Sequence, residues 1–428
     1  MRAGRRTFVG FGFGPIQTGL FLSEAFASGT FATLVVAEVV PELVAAVGEA
    51  GGRFSVNIAH HDRVEPVEIG PVEIVDPAAD AGRQLLVEAI AQADELATAL
   101  PSVDFYSSGM PGSVHRLLAA GLREKARREG PPAVLYAGEN HNHAAEILEA
   151  HVLGEVPAGE RAAVAARVRF LNTVIGKMSR LVVDPDDVRE YGLTPLTPGP
   201  RPAVLVESFN RILISRIRFD AGFVRGITAF EEKEDLLPFE EAKLYGHNAT
   251  HALGGYLGAL AGIRQMADLP AVPGLVALMR AAFVEESGAA LIRRHRGVDP
   301  LFTPAGYTAY ADDLLERMTN PYLRDTIDRV TRDTDRKLGW SDRFIGTMRL
   351  ALENDVDPRR YALGAAAALV TLDPPLLDGH GAVEAVLRPL WSDAPDDDRA
   401  IIERIAAGLD ALRAWVGSGF DPRRLEIG

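Results

Sequence analysis

The chain has 428 residues, is 47% hydrophobic and 24% charged, carries a net charge of −14 and contains no cysteine. That length calls for two substantial domains, and the acidic balance argues against a nucleic-acid partner, because phosphate backbones attract basic surfaces. The lack of cysteine removes disulfides, thiolate nucleophiles, iron–sulfur clusters and cysteine-ligated zinc and fits a cytoplasmic protein, and no apolar run reaches the ~18 residues of a membrane span.

Arg2, Arg5 and Arg6 precede an apolar run, as in a signal peptide, but Gly10, Gly12, Gly14, Pro15, Gln17 and Gly19 break it. A buried strand over 7–12, a glycine-rich turn over 12–19 and a helix over 20–28 explain the segment better. A second strand is expected over 32–38 and a helix over 41–49, completing a strand–helix–strand unit of a parallel sheet. Further strands are expected over 72–75, 104–107, 133–137 and 168–171, with helices over 82–98, 113–128 and 144–150. The Pro- and Gly-rich stretch 191–201 marks a crossing between domains, and a strand over 203–207 is compatible with the first sheet. Long helical patterns follow over 239–267, 275–294, 308–317, 343–353 and 397–416, after a polar loop with four Asp within 393–398. The expected organisation is a domain over 1–210 and a helical domain over 211–428. The apolar faces of its helices leave a monomer or a homodimer open.

Gly12, Gly14, Ile16 and Gln17 lie where a first strand hands over to a helix. Glycine there lets backbone approach a pyrophosphate, which the helix N-terminus favours electrostatically. Gln17 stands where the usual third glycine of this fingerprint falls, so position in the unit carries the reading. Glu38 ends the second strand, where a carboxylate accepts ribose hydroxyls and repels a 2′-phosphate. The expected cofactor is NAD rather than NADP.

The second chemical stretch is Lys243-Leu-Tyr-Gly-His-Asn-Ala-Thr-His251. On a regular helix, at roughly 100° per residue, Asn248 falls about 140° and His251 about 80° from Lys243, so the three share one broad face. A zinc-free alcohol dehydrogenase needs a base for the hydroxyl proton and neutral donors for the developing alkoxide. Lys243 supplies the first, Asn248 and His251 the second. Glu240, one turn earlier, opposes the lowering of the lysine pKa or relays protons. No tyrosine has a lysine four residues on, which argues against a short-chain dehydrogenase. His247 and His251, with His141 and His143, are the alternative: a zinc site. Asn248 stands where the zinc helix motif has Glu, so no metal is expected.

These residues resemble a known family. Lys243 to His251 fits the K-x4-N-x2-H signature of the polyol-specific long-chain dehydrogenases, the mannitol dehydrogenase family, and the glycine-rich turn and Ala137-Gly-Glu-Asn140 resemble its nucleotide loop and strand end. The segments 283–294, 320–324 and Arg336-Lys-Leu338 are similar to its mannitol-1-phosphate 5-dehydrogenase branch. The resemblance implies an α/β Rossmann-type N-terminal domain followed by a mostly α-helical C-terminal domain, and an NAD-dependent enzyme acting on a sugar alcohol or ketose, by preference the phosphate. It implies Lys243 as base, Asn140 and Asn248 as oxyanion donors, Asn140 also beside the cofactor, and His251 and Arg336 on substrate hydroxyls or phosphate. Where the family has an Asp–Arg pair, this chain has Gly176 and Lys177. The lost carboxylate and kept cation suit an anionic substrate, a phosphate or a carboxylate.

Overall fold

The structure, a computed structural model, describes residues 6–391, 394 and 398–424. Arg2, Arg5 and most of the acidic 393–398 loop lie outside them. The chain divides into two compact units, Met1–Leu236 and Leu237–Gly428.

The strands of the first unit are, in chain order, β1 Arg6–Phe11, β2 Phe31–Ala37, β3 Phe54–Ala59, β4 Val64–Ile69, β5 Glu73–Val75, β6 Glu95–Thr98, β7 Ala133–Ala137, β8 Val168–Val174, β9 Ser179–Val182, β10 Ala203–Glu207, β11 Leu213–Ser215 and β12 Glu231–Lys233. Eight form one sheet in the order β12-β11-β8-β7-β6-β1-β2-β5. The pairs from β5 to β8 are all parallel. Reading only those six, the chain visits them outward from β1 to one edge and then from β6 to the other, the doubly wound arrangement whose ligand crevice lies at the reversal between β1 and β6. Their near-continuous apolar runs are buried on both faces, as parallel strands require.

Several expectations need correction. The segment expected as a helix over 82–98 is a helix Asp80–Gln92 followed by β6, whose four residues are all buried. A four-residue strand is too short for its period to stand out from the helix before it. The strand expected over 104–107 is instead a single turn, Val103–Tyr106, capped by Ser102. The 203–207 strand forms as expected but belongs to a second sheet, in the order β4-β3-β10-β9. Its other three strands are not among those expected from the sequence, although Phe54–Ala59 alternates apolar and polar residues. The boundary expected near 210 moves to Leu236, because β11 and β12 add to the β8 edge of the first sheet.

The second unit is helical among the described residues. Its main helix run covers 237–260 and includes Gly254, Gly255 and Gly258; a Cβ on each would lie 2.5–2.6 Å from Met279, Val330 and Leu269 respectively. Helix axes approach closely there because those positions lack side chains. A helix over Arg359–Leu372, buried from Tyr361 to Val370, was not expected from the sequence. Its alanine run is apolar all round and lacks an amphipathic period.

Candidate functional site

Each unit carries part of the predicted chemistry. In the first, β1 ends at Phe11 and the chain turns through Gly12, whose φ is +82° and whose Cβ would sit 2.9 Å from the Ala99 carbonyl. Glycine is required here on both counts. Gly14 differs: a Cβ there would meet nothing within 4 Å. Its glycine leaves open space at the start of the helix, the kind of cradle in which a pyrophosphate reaches backbone N–H groups. Ile16 is half-buried at that helix start. Gly19 has a packing task, since its Cβ would lie 2.5 Å from Val206 of β10.

Gln17 is fully buried, and both polar atoms of its side chain lack a hydrogen-bond partner. Its amide lies over Gly10 of β1, where a Cβ would come within 2.0 Å of it. The side chain at the usual third-glycine position is thus accommodated by a glycine moved into the strand. The first turns of this helix, Gln17–Leu22, are π-helical, a distortion common at functional sites.

Glu38 is buried, and one carboxylate oxygen accepts the N–H groups of Val39 at 2.8 Å and Val40 at 2.9 Å. Among the described residues the second oxygen makes no hydrogen bond and is not enclosed. The carboxylate is therefore held in one orientation with an acceptor to spare, which fits a ribose diol. Exposed Val39 and Val40 bring no cation for a 2′-phosphate.

Asn140 is exposed in the turn after β7. The sequence reading gave the preceding Glu139 no role. It is buried and accepts from Thr98 Oγ1 at 2.8 Å, the Leu100 N–H at 2.9 Å and the Tyr106 hydroxyl. Burial raises its pKa. Glu139 ties the loops after β6 and β7 together and so fixes the backbone that presents Asn140. Lys177 has a structural task instead of the expected substrate contact. Its buried ammonium donates to the Glu207 and Phe209 carbonyls and to Asn210 Oδ1. These acceptors hold the turn after β8 against the end of β10. At Gly176 a Cβ would meet only the Phe209 ring at 3.9 Å.

In the second unit, Lys243 and Asn248 lie on a π-helical segment, Ala242–Asn248, inside the 237–260 run. This corrects the regular-helix geometry. A π turn, bonded i→i+5, holds more residues per turn than an α-helix, so Asn248 lies nearer the azimuth of Lys243 than the regular-helix angle puts it. Gly246 permits the distortion, because a Cβ there would lie 2.5 Å from the Tyr307 hydroxyl and 2.6 Å from the Phe283 ring. Burial draws the Lys243 pKa down to about 8; Glu240 opposes the shift and Arg343 adds to it. The Asn248 carboxamide makes no hydrogen bond among the described residues, and neither polar atom is enclosed. An amine with a depressed pKa thus shares one π turn with a carboxamide that makes no hydrogen bond among the described residues.

His251 Nε2 lies 3.0 Å from Asp325 Oδ2, and Arg329 Nε donates to Asp325 Oδ1 at 2.6 Å. His247 is buried, and its ring centroid lies 6.3 Å from that of His251. Burial pushes the His247 pKa well down, with His251, Arg317, Lys243 and Arg343 contributing. Arg336 is exposed and pairs loosely with Asp333 at 3.6 Å. Its neighbour Lys337 is the buried cation: burial, Arg343 and Arg336 lower its pKa to about 8. Arg343 is 14% exposed and held by Asp342 at 2.8 Å. Lys337, Arg343, Asp325 and Arg329 have no role in the sequence-based expectations. The only signal was that Lys337 lies inside a segment singled out for resemblance and that Asp325 directly follows another.

Those resembling segments have structural roles too. Asn320 caps Tyr322 N–H at 2.9 Å, and Arg324 adopts φ +52°, a turn that delivers Asp325. Buried Glu286 accepts the N–H groups of Arg360 at 2.9 Å and Tyr361 at 3.1 Å, capping the Arg359–Leu372 helix. Burial raises its pKa to about 7 against these bonds.

The strand order and the helical second unit define the class: an α/β Rossmann-type N-terminal domain followed by a mostly α-helical C-terminal domain. Residues 235–415 match the family model described as mannitol dehydrogenase C-terminal domain. Across 99% of this chain and 95% of the other, the fold is similar to a crystal structure of D-sorbitol dehydrogenase in substrate-free form, at TM-score 0.77 and 14% identity. It is also similar to Pseudomonas fluorescens mannitol 2-dehydrogenase in a ternary complex with NAD and D-mannitol, at TM-score 0.69 and 16% identity over 98% of this chain and 94% of that one. Identities this low speak to the fold alone.

Proposed function

We propose that the chain is an NAD-dependent oxidoreductase interconverting a sugar alcohol and the matching ketose, by preference mannitol 1-phosphate and fructose 6-phosphate. One observation carries the reading: Lys243, with its pKa drawn to about 8, shares a π turn with Asn248, whose amide makes no hydrogen bond among the described residues, within the stretch matched to the mannitol dehydrogenase C-terminal domain. The open space at Gly14, the oriented Glu38 and the close turn at Gly12 fit a dinucleotide, with Ile16 and Gln17 at the helix start. When bound, the nicotinamide supplies the hydride acceptor or donor. Lys243 takes the hydroxyl proton in oxidation and returns it in reduction. Asn248 donates to the oxygen on which charge builds. No metal is needed, because the lysine does the proton work. Arg343 adds positive charge near Lys243, and Lys337 lies near Arg343 in turn, a run of cations that favours an anionic substrate.

The mannitol 2-dehydrogenase complex supports the polyol class. An unphosphorylated polyol or a hexuronate is the second reading. The unphosphorylated polyol is favoured by Lys177 being consumed within its own unit and by exposed Arg336, two cations expected on an anionic substrate group. The test is NADH oxidation by the purified protein with a panel of ketoses, ketose phosphates and keto-hexuronates, with and without chelator. Chelator-insensitive turnover of fructose 6-phosphate supports the first reading. Turnover of only an unphosphorylated or carboxylated sugar moves the substrate. NADH binding without any turnover points to a non-catalytic NAD-sensing protein and refutes both.

A further inference from the structure

We infer that Asp325 fixes the tautomer of His251, so that His251 meets a substrate hydroxyl as a hydrogen-bond acceptor through Nδ1 and does not donate to the reacting oxygen. This rests on the polyol reading above and reverses the donor role that the spacing assigned to His251.

Asp325 is 5% exposed, and each of its carboxylate oxygens has a partner. Arg329 can only donate, and it takes Oδ1. Burial alone would raise the carboxyl pKa, but the bonds to His251 and Arg329 outweigh it and hold the group below the usual range. An ionised carboxylate only accepts, so the proton of the His251–Asp325 bond belongs to Nε2. In the neutral ring the second nitrogen then carries a lone pair. Among the described residues no hydrogen bond uses Nδ1, and it is not one of the enclosed unpartnered atoms. The ring keeps 15% of its side-chain surface exposed.

The consequence is a division of labour along the helix. Lys243 in its protonated form and Asn248 are donors, and His251 adds an acceptor. A polyhydroxylated substrate has hydroxyls beside the reacting carbon that donate, and a lone donor set would leave them unmatched. Asp325 is a positioning residue, and Arg329 holds it in place.

Histidine-selective 15N NMR of the intact protein without substrate tests this, with His251 assigned by its loss in His251→Gln. The expected spectrum has the proton on Nε2 and an unprotonated Nδ1. A proton on Nδ1, or on both nitrogens, near neutral pH overturns the inference whatever the substrate proves to be. In Asp325→Asn the amide turns its carbonyl to Arg329 and its NH2 to His251. The ring proton moves to Nδ1, where it opposes the substrate hydroxyl. The expected result is a loss of kcat on the order of 100-fold or more, NADH affinity within about 3-fold of wild type, and partial rescue by Asp325→Glu. Unchanged kcat, or an unmoved proton in a folded variant, overturns the inference. If Asp325→Asn does not fold, the wild-type spectrum still decides. If the protein turns over no substrate, the polyol reading fails while the tautomer assignment is judged on the spectrum alone.

Discussion

The Lys243 pKa sets the pH dependence of the proposed reaction. A drop from 10.5 to about 8 corresponds to about 3.4 kcal/mol favouring the neutral amine, at ~1.36 kcal/mol per unit. At pH 7 roughly one lysine in ten is then neutral, against roughly three in ten thousand for an ordinary lysine, a gain of about 300-fold in available base. Alcohol oxidation needs the neutral form, so its rate should rise with pH and level off above about 8. Ketone reduction needs the ammonium and should fall through the same region. The two flanking charges act in opposite senses: Arg343 depresses the pKa and Glu240 raises it. Arg343→Gln should therefore move the oxidation limb to higher pH and Glu240→Gln to lower pH, measured as kcat at saturating substrate. Lys243→Ala should lose about 10²–10⁴-fold in kcat with NADH affinity nearly unchanged. Limbs that move together in the two charge variants, or a Lys243→Ala enzyme with the wild-type profile, would refute the lysine mechanism.

Two glycine variants separate folding from binding. Gly14→Ala fills space that is open in the protein alone, so thermal stability should hold while the NADH dissociation constant rises by about 10-fold or more. Gly19→Ala collides with Val206 and should cost about 1–3 kcal/mol of stability; a calorimetric scan that shows the reverse pattern would remove Gly14 from the cofactor site. Glu38→Ala should weaken NAD more than NADP in a fluorescence titration, and equal losses would exclude the ribose contact. Lys337→Met should raise KM for a phosphorylated ketose by about 10-fold and leave an unphosphorylated one little changed, a charge-pairing effect of about 1.4 kcal/mol. Identical changes for both would exclude phosphate recognition by Lys337.

The parallel strands of the first unit and the long helices of the second were largely legible, because buried apolar runs and amphipathic periods are local signals. Strands β1, β2, β7 and β8 were expected within a few residues of their observed bounds. The glycine turn with Glu38, and the Lys243–His251 stretch, were legible as chemistry because residue type and spacing suffice for that. Three things depend on partners distant in sequence. The sheet containing β10 draws its strands from two distant stretches of the chain, 54–69 and 179–207, so no single window displays it. The π turn at Ala242–Asn248 exists where Gly246 lets Phe283 and Tyr307 approach, and this brings Lys243 and Asn248 nearer in azimuth than the regular-helix angles do. The partners of the site residues are also tertiary. Lys177 is consumed by carbonyls some 30 residues away and His251 is oriented by a carboxylate 74 residues on. Residue type and spacing determined which groups could do the chemistry. Only the packing decided which of them are free to do it, because a polar group buried in the fold is committed to whatever partner the fold brings beside it.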